Sequence, residues 1–194
     1  MDRLEIYNMA LDVLNIEPLE KEELEADQKD PIVKTLDRFF GTALRKASRE
    51  HCWSFLTEKI VLGNDLGSGK GYLHSYELPD DLFRLVYAEG GEYERVGNIL
   101  FTNGSPTIHA MSMRKMKNGN YTFGVDGTIP EDFWELVAYA LAFLVSPRLS
   151  SGDSKIQVIS SIYNTILQTM VDNDVKNEIH PVDRSEFEGV NIYE

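Results

Sequence analysis

The sequence lacks the features that mark secreted, disulfide-bonded and membrane-spanning proteins. Its 194 residues include one cysteine, Cys52, which excludes an intramolecular disulfide and is typical of synthesis in a reducing compartment. No apolar run approaches the roughly 20 residues that a membrane-spanning helix needs. The N-terminus has no basic segment leading an apolar stretch, so we expect no secretory signal. The length suits one domain, with or without a sizeable insertion.

Positive charge is scarce, because 19 Lys and Arg residues stand against 32 Asp and Glu residues, for a formal net charge of −13. Proteins that grip DNA or anionic membranes concentrate Lys and Arg, since counterion release supplies their affinity. This balance argues against either task. The charge is also uneven: residues 20–30 are acidic, residues 34–49 are basic, and the chain turns acidic again from Asp172. Such patches suit copies packed side by side, and a solvated surface is the alternative.

Apolar spacing predicts two helices in the first quarter of the chain. The first covers residues 4–14 and is closed by Pro18. The second starts at Asp30, the expected N-cap, with Pro31 at the first helical position, and it ends near Cys52. The acidic stretch between them predicts a connecting loop, with one helical turn as the alternative.

Two further helices are predicted in the last third of the chain. The third opens at Pro130, followed by two acids that favour a helix N-terminus, and we expect Pro147 to end it. The fourth is capped by Asp153 or Ser154 and continues to Met170. From residue 173 onward apolar side chains are sparse, so we expect a tail that is disordered until it is bound.

Between these helical halves the apolar pattern changes to alternation, which predicts antiparallel strands. The predicted strands cover residues 60–62, 72–78, 82–88, 93–96, 99–102, 107–113 and 121–123. Gly97-Asn98 between two of them is the strongest hairpin signal. The fold class is therefore α+β: a helical bundle of about four helices with an inserted antiparallel β-rich domain and a flexible C-terminal tail. The predicted segments are 1–55 and 129–172 for the bundle, 56–128 for the insertion, and 173–194 for the tail.

Motifs that could carry chemistry do not have the required spacing. Residues 67–71 include a Gly-Lys pair, but Asn64 stands where a phosphate loop needs Gly, and a strand rather than a helix follows. A hairpin turn is the better interpretation. The four histidines show no metal-ligand spacing, and Asp80-Asp81 after a proline suits a turn. We predict no catalytic, cofactor-binding or metal-binding residues.

One segment suits contact with a partner, because it mixes thioether side chains, which repack easily, with a cluster of cations. The alternative is a hairpin tip that charge keeps soluble. The candidate residues are Met111, Met113, Arg114, Lys115, Met116 and Lys117.

Three segments of the chain match sequence patterns in one known order. The first helix carries Ala10-Leu11 and Leu14-Asn15 ahead of Pro18, a pattern written A-L-x-x-L-G with Asn15 in the Gly position. The second helix closes in the pattern W-x-F. The third pattern, Y-x-x-P-x-D-x-x-R, is formed by Tyr76, Pro79, Asp81 and Arg84. Each pattern is short, so their order and separation carry the weight, and each also suits residues that pack the fold.

In this order the segments resemble the tail tubular protein A family, the head-to-tail adaptors of tailed bacteriophages. The resemblance covers roughly residues 4–170 and implies a helical bundle interrupted by a β-rich insertion. It implies a structural virion protein without catalysis or cofactor, made in the host cytoplasm and located in the neck and tail. The family's assembly is a ring, a dodecamer, under the portal protein.

Such a ring joins the portal to the tail nozzle or tail tube and continues the channel for double-stranded DNA. An acidic channel wall repels DNA, so the genome slides through without specific binding. No membrane contact is implied. The C-terminal tail would be an arm that folds on the portal, with apolar side chains as anchors. These candidate anchors are Ile179, Phe187, Ile192 and Tyr193.

Other functions stay open at the level of sequence. Within the same class, the chain could form a ring lower in the tail or a gatekeeper. From another class, it could be a soluble acidic regulator or DNA mimic that occupies a basic protein's site. An enzyme ranks third, since it would need a deep pocket with a strongly shifted titratable group.

Overall fold

The computed structural model describes residues 1–26, 30–115, 121–123, 129–149 and 153–178. The helices in these residues are α1 (Arg3–Val13), α2 (Lys21–Glu25), α3 (Pro31–Glu50), α4 (Glu131–Leu149) and α5 (Asp153–Glu178). The strands are β1 (Glu58–Val61), β2 (His74–Glu77), β3 (Leu82–Ala88), β4 (Tyr93–Val96), β5 (Ile99–Thr102), β6 (Thr107–Lys115) and β7 (Tyr121–Phe123). The α+β class predicted from the sequence is confirmed.

Helix α4 is the centre of the helical bundle, since it packs against α1, α3 and α5. A helix covered on several sides needs apolar residues around most of its circumference. Helix α4 meets this need with small and large apolar side chains, which let its neighbours approach closely. Its fully buried apolar residues are Phe133, Leu136, Val137, Ala138, Ala140, Leu141, Ala142 and Val145.

The helix ends follow the local chemistry of the sequence. Asp30 caps α3 by accepting a hydrogen bond from the Ile32 amide at 2.7 Å, and Pro31 occupies the first turn as predicted. Helix α1 ends in a Schellman motif. The Asn15 amide donates to the Asp12 carbonyl, the Ile16 amide donates to the Leu11 carbonyl, and Asn15 adopts φ +55°.

The region between α3 and α4 forms two antiparallel sheets. One has the order β1-β6-β3, with β7 paired to the far end of β6, and the other has the order β2-β5-β4. Gly97-Asn98 makes the predicted two-residue hairpin, since Val96 pairs with Ile99. Strands β3, β4, β5 and β7 have the predicted bounds. A separate apolar core serves the sheets and comprises Leu62, Tyr76, Leu78, Ala88, Leu100, Ile108 and Ala110.

Two predicted helix ends are wrong. Helix α4 continues through Pro147 to Leu149. Pro147 has no amide to donate to the Phe143 carbonyl, and the Ser146 hydroxyl donates to that carbonyl instead, at 3.0 Å. Helix α5 continues to Glu178, so residues 173–178, predicted as part of a tail, are helical. The rest of the predicted tail, 179–194, lies outside the described residues.

Trp53 forms the joint between the bundle and the sheets. Its side chain is fully buried, stacks on Phe55 with ring centroids 5.4 Å apart, and meets the edge of Phe133. Its indole N–H donates to the Ala47 carbonyl at 3.0 Å, which satisfies a carbonyl in the last turn of α3. The joint therefore combines apolar packing with a paired helix end. In the described part of the chain, none of the helices has both the length and the apolarity that crossing a membrane requires.

We expect Trp53→Ala to lower the free energy of unfolding by about 3–5 kcal/mol, because it leaves a large cavity and an unpaired carbonyl. Urea denaturation followed by far-ultraviolet circular dichroism measures this loss. The matched control is Trp134→Ala on α4, whose side chain is only partly buried. A loss at Trp134 equal to or larger than the loss at Trp53 would contradict the role of Trp53 as the joint.

Candidate functional site

The predicted contact segment lies on β6 and the hairpin that follows it. Met111 is 1% exposed and packs in the core of the bundle. Met113 is partly buried against the same core. The prediction of a free contact surface is therefore wrong for Met111, because β6 passes from the sheet core to the bundle core at this point. The side chains of Met111 and Met113 therefore belong to the bundle core, while earlier residues of β6 belong to the sheet core.

The end of the segment is a hairpin, as predicted. Arg114 pairs with Thr122 and Lys115 pairs with Tyr121 along the backbones of β6 and β7. Several candidate contact residues lie outside the described residues, so their roles stay predictions. They are Met116 and Lys117, which lie between β6 and β7 in the sequence, and Ile179, Phe187, Ile192 and Tyr193 in the predicted arm.

The glycine-rich segment before β2 is a tight turn. Gly69 and Tyr72 exchange backbone hydrogen bonds of 3.1 and 2.9 Å, and the two residues between them adopt left-handed conformations. Lys70 sits at φ +53° and its ammonium pairs with Glu94 at 2.9 Å. The hairpin prediction is confirmed, and strand β2 follows where a phosphate loop needs a helix.

A buried carboxylate links the end of α5 to the start of the β region. Asp174 is 5% exposed and accepts hydrogen bonds from the Ser54 amide at 3.0 Å and the Ser54 hydroxyl at 2.5 Å. The His51 Nε2 atom lies 3.2 Å from Asp174, although the two atoms are not aligned for a hydrogen bond. The Ser54 hydroxyl bonds the carboxylate rather than the imidazole, which is not the arrangement of a Ser-His-Asp triad. It holds two elements together.

Sequence reasoning missed this cluster for a simple reason. Ser54 and Asp174 are 120 positions apart, and Asp174 fell in the predicted tail. One signal was available, because Asp174 follows Ile159, Tyr163 and Met170 at spacings that place all four on one face of a continuous helix.

Two more histidine–carboxylate pairs lie in the β region. His74 contacts Asp65 at 2.5 Å, and His109 contacts Glu89 at 2.8 Å, with Lys59 also 2.9 Å from Glu89. The hydrogen bond with His74 holds the pKa of Asp65 below its usual value. Hydrogen bonds with His109 and then Lys59 do the same for the pKa of Glu89. Within the described residues, no group of three or more His, Cys, Asp or Glu side chains is arranged to hold a metal ion.

An open groove of 470 Å³ lies between the loop after β1 and the turn after β2. Its lining combines aliphatic side chains, among them the exposed Val61 and Leu66, with Asn64, Glu77 and Asp80. Among the described residues that line it, Glu77 and Asp80 are the ionisable ones, and both are acids. The groove therefore has a mixed polar and apolar wall without a paired acid and base.

The outer face of α3 carries a row of cations, which we call the α3 basic stripe. It is formed by Lys34, Arg38, Arg45 and Arg49. All four are exposed and follow one another at helical spacings of four, seven and four residues. Over 15 residues of helix the stripe is about 22 Å long. The stripe lies within residues 34–49, the segment whose basic charge the sequence shows.

Comparison with known proteins adds no identity to this geometry. The sequence matches no protein-family model and no curated protein. What this chain does must therefore be inferred from its residues, their contacts and the resemblance of the three motifs.

We expect Asp174→Ala to lower the free energy of unfolding by about 1–3 kcal/mol, because the Ser54 amide and hydroxyl lose their buried acceptor. The control on the same helix is Asp172→Ala. The exposed Asp172 carboxylate accepts a hydrogen bond from Gln168 one turn earlier, and we expect its loss to cost less than about 0.5 kcal/mol. Urea denaturation of both variants measures the difference. Equal costs would show that the α5 linkage contributes nothing beyond helix propensity.

We expect the two lowered carboxyl pKa values to depend on separate histidines. Replacing His109 by Phe keeps a ring beside Tyr87 but removes the hydrogen bond, so the pKa of Glu89 rises toward its usual value while that of Asp65 stays low. His74→Phe has the opposite pattern. Carboxyl-carbon NMR titration of both variants provides the measurement.

The sign of the stability effect follows from the direction of these shifts. A folded pKa below the unfolded value of about 4 adds stability that is present above that pH and is lost as the pH falls through the folded pKa. His109→Phe should therefore flatten the loss of urea resistance below about pH 4.5. A rise in the pKa of Asp65 in His109→Phe would contradict independent pairs.

Proposed function

We propose that this chain is a structural virion protein of a tailed bacteriophage, a head-to-tail connector that forms a ring under the portal protein. The ring joins the portal to the tail nozzle or tail tube, and double-stranded DNA passes through its channel without specific binding. The role needs no catalysis and no cofactor. The protein's place is the neck of the virion.

The observation that carries the proposal is the way the β region interrupts the bundle. Helices α3 and α4 pack against each other although every described strand lies between them in the sequence. The chain thus leaves the bundle at Trp53 and returns at Phe133, and the two rings meet at 6.2 Å. A bundle interrupted by a β-rich insertion is the arrangement that the resemblance implies.

The residues of the three motifs have physical reasons for their positions. Asn15, where the family pattern has Gly, adopts φ +55°, a conformation that favours Gly first and Asn next. Pro79 opens a turn, and the Pro79 carbonyl accepts a hydrogen bond from the Leu82 amide. Arg84 donates to the Arg49 carbonyl and so ties β3 to the last turn of α3. These contacts support a shared fold rather than a chance match of letters.

Two regions would supply contacts beyond the ring. In this proposal the β6–β7 hairpin, with Arg114, Lys115, Met116 and Lys117, contacts the tail nozzle. Met111 is excluded from that surface by its burial in the bundle core. The segment after Glu178, with its four apolar anchors, docks on the portal. A ring lower in the tail would use the same hairpin for a different neighbour.

A second candidate function has one observation in its favour. The net charge of −13 suits an acidic regulator or DNA mimic that covers a basic protein's site. That function requires a monomer or small dimer without affinity for a portal protein. The same measurement therefore separates the two candidates.

We expect the purified chain to join the portal protein of the same phage as a ring with one fixed copy number. Native mass spectrometry of the chain alone and of the mixture measures this directly. A chain that stays free at every mixing ratio would contradict the connector function and favour the acidic regulator.

The matched control for the arm is a chain ending at Glu178, which keeps α5 and the Asp174 contacts intact. If the arm docks on the portal, this variant needs at least a tenfold higher concentration to form the same complex, equal to about 1.4 kcal/mol. Unchanged assembly would contradict the arm while leaving the ring itself in place.

A further inference from the structure

The carboxylates of α3 have cationic partners, whereas the stripe cations that do have partners contact aromatic rings. The Arg38 guanidinium lies 5.8 Å from the Phe39 ring and that of Arg49 lies 5.2 Å from the Phe83 ring. The Asp37 carboxylate pairs with Arg3 at 2.6 Å and accepts a hydrogen bond from the Tyr7 hydroxyl at 2.8 Å. The Glu50 carboxylate pairs with Lys46 at 2.8 Å and accepts a hydrogen bond from the Tyr163 hydroxyl at 2.9 Å. In the described part of the chain, none of the four stripe cations has a carboxylate within ion-pair distance.

Glu50 keeps a lowered pKa although it is partly buried. Burial alone would raise the pKa of Glu50, but the hydrogen bonds from Lys46 and Tyr163 outweigh it and lower that pKa. Neither Asp37 nor Glu50 is therefore available to neutralise the stripe. The outward face of α3 presents four positive charges along one line on a protein that is otherwise strongly acidic.

The complementary surface is present in the same chain, just before α3. Five carboxylates occur within nine residues, and all five are exposed. They are Glu17, Glu20, Glu22, Glu23 and Glu25, which we call the α2 acidic patch. Lys21 is the one cation among residues 17–25, and it lies 3.8 Å from Glu25. The patch keeps a clear negative excess.

We propose that the α3 basic stripe of one copy binds the α2 acidic patch of the next copy. The two surfaces differ, so the contact is heterologous and leaves one stripe and one patch free at the ends of any open chain of copies. Every stripe and every patch has a partner only when the copies close into a ring. The inference rests on the proposed function, and it names the surfaces that join neighbouring subunits.

Charge favours a second copy over DNA as the occupant. A second copy has the same net charge of −13 as the molecule that it meets, but a duplex is anionic along its whole length and so also faces the acidic surface on either side of the stripe. A neighbouring copy instead brings its acidic patch directly to the stripe and lowers the local repulsion in both molecules. Because these charges are exposed, the contact weakens as salt rises.

The test reverses each surface and then both together, in the full chain. The stripe variant carries Lys34→Glu, Arg38→Glu and Arg45→Glu. The patch variant carries Glu17→Lys, Glu22→Lys and Glu25→Lys. Native mass spectrometry on the portal protein measures the chain concentration at which the ring is half formed. Each variant alone should raise that concentration at least tenfold, since like charges then face each other.

The variant with both surfaces reversed is the decisive one. Its stripe is negative and its patch is positive, so it should assemble within about threefold of the wild-type concentration. The control for net charge changes three cations of the β region, Lys59→Glu, Lys70→Glu and Arg95→Glu, and should assemble like wild type. Rescue by the doubly reversed chain also shows that the single variants failed through charge rather than misfolding.

The outcomes separate this inference from the proposed function. A wild-type chain that never joins the portal removes the proposed function. A wild-type ring that the stripe variant also forms at the same concentration removes only the charge contact. The contact is likewise overturned if a labelled 30-base-pair duplex binds the wild-type chain, loses binding to the stripe variant, and ring assembly is unaffected.

Discussion

The joint at Trp53 is the constraint on which the rest of the structure depends. A bundle that is interrupted by two sheets must keep the point of exit next to the point of return. The buried indole does this by packing between Phe55 and Phe133 and by pairing the Ala47 carbonyl. Apolar contact supplies the energy and the N–H···O bond sets the orientation.

Two other elements reinforce this joint from different directions. Strand β6 leaves the sheet core and brings Met111 into the bundle core, so the two cores are joined by a continuous strand. Helix α5 reaches the same place with Asp174, whose carboxylate receives both polar hydrogens of Ser54. The β region is thus attached by packing and by a buried polar contact.

Most of the secondary structure was predictable because its signals are local. Asp30-Pro31 starts a helix and Gly97-Asn98 makes a hairpin through bonds to near neighbours. The predicted helix ends are wrong where a distant or unusual hydrogen-bond partner lets the helix continue. Pro147 stays inside α4 because Ser146 pairs the carbonyl that proline leaves free. Helix α5 continues past residue 172, where Asp174 accepts a hydrogen bond from Ser54, which lies 120 positions earlier in the chain.

By itself, the sequence determined the α+β class, the order of the elements and the net charge, because periodicity, caps and composition are properties of neighbouring residues. Only the tertiary structure decided which charged side chains have ion-pair or hydrogen-bond partners. Asp37 is paired by side chains from α1 and Glu50 by Tyr163 of α5, whereas in the described part of the chain the exposed cations of the α3 basic stripe have no carboxylate within ion-pair distance. Pairing depends on which elements pack together, and packing depends on contacts between residues far apart in the chain.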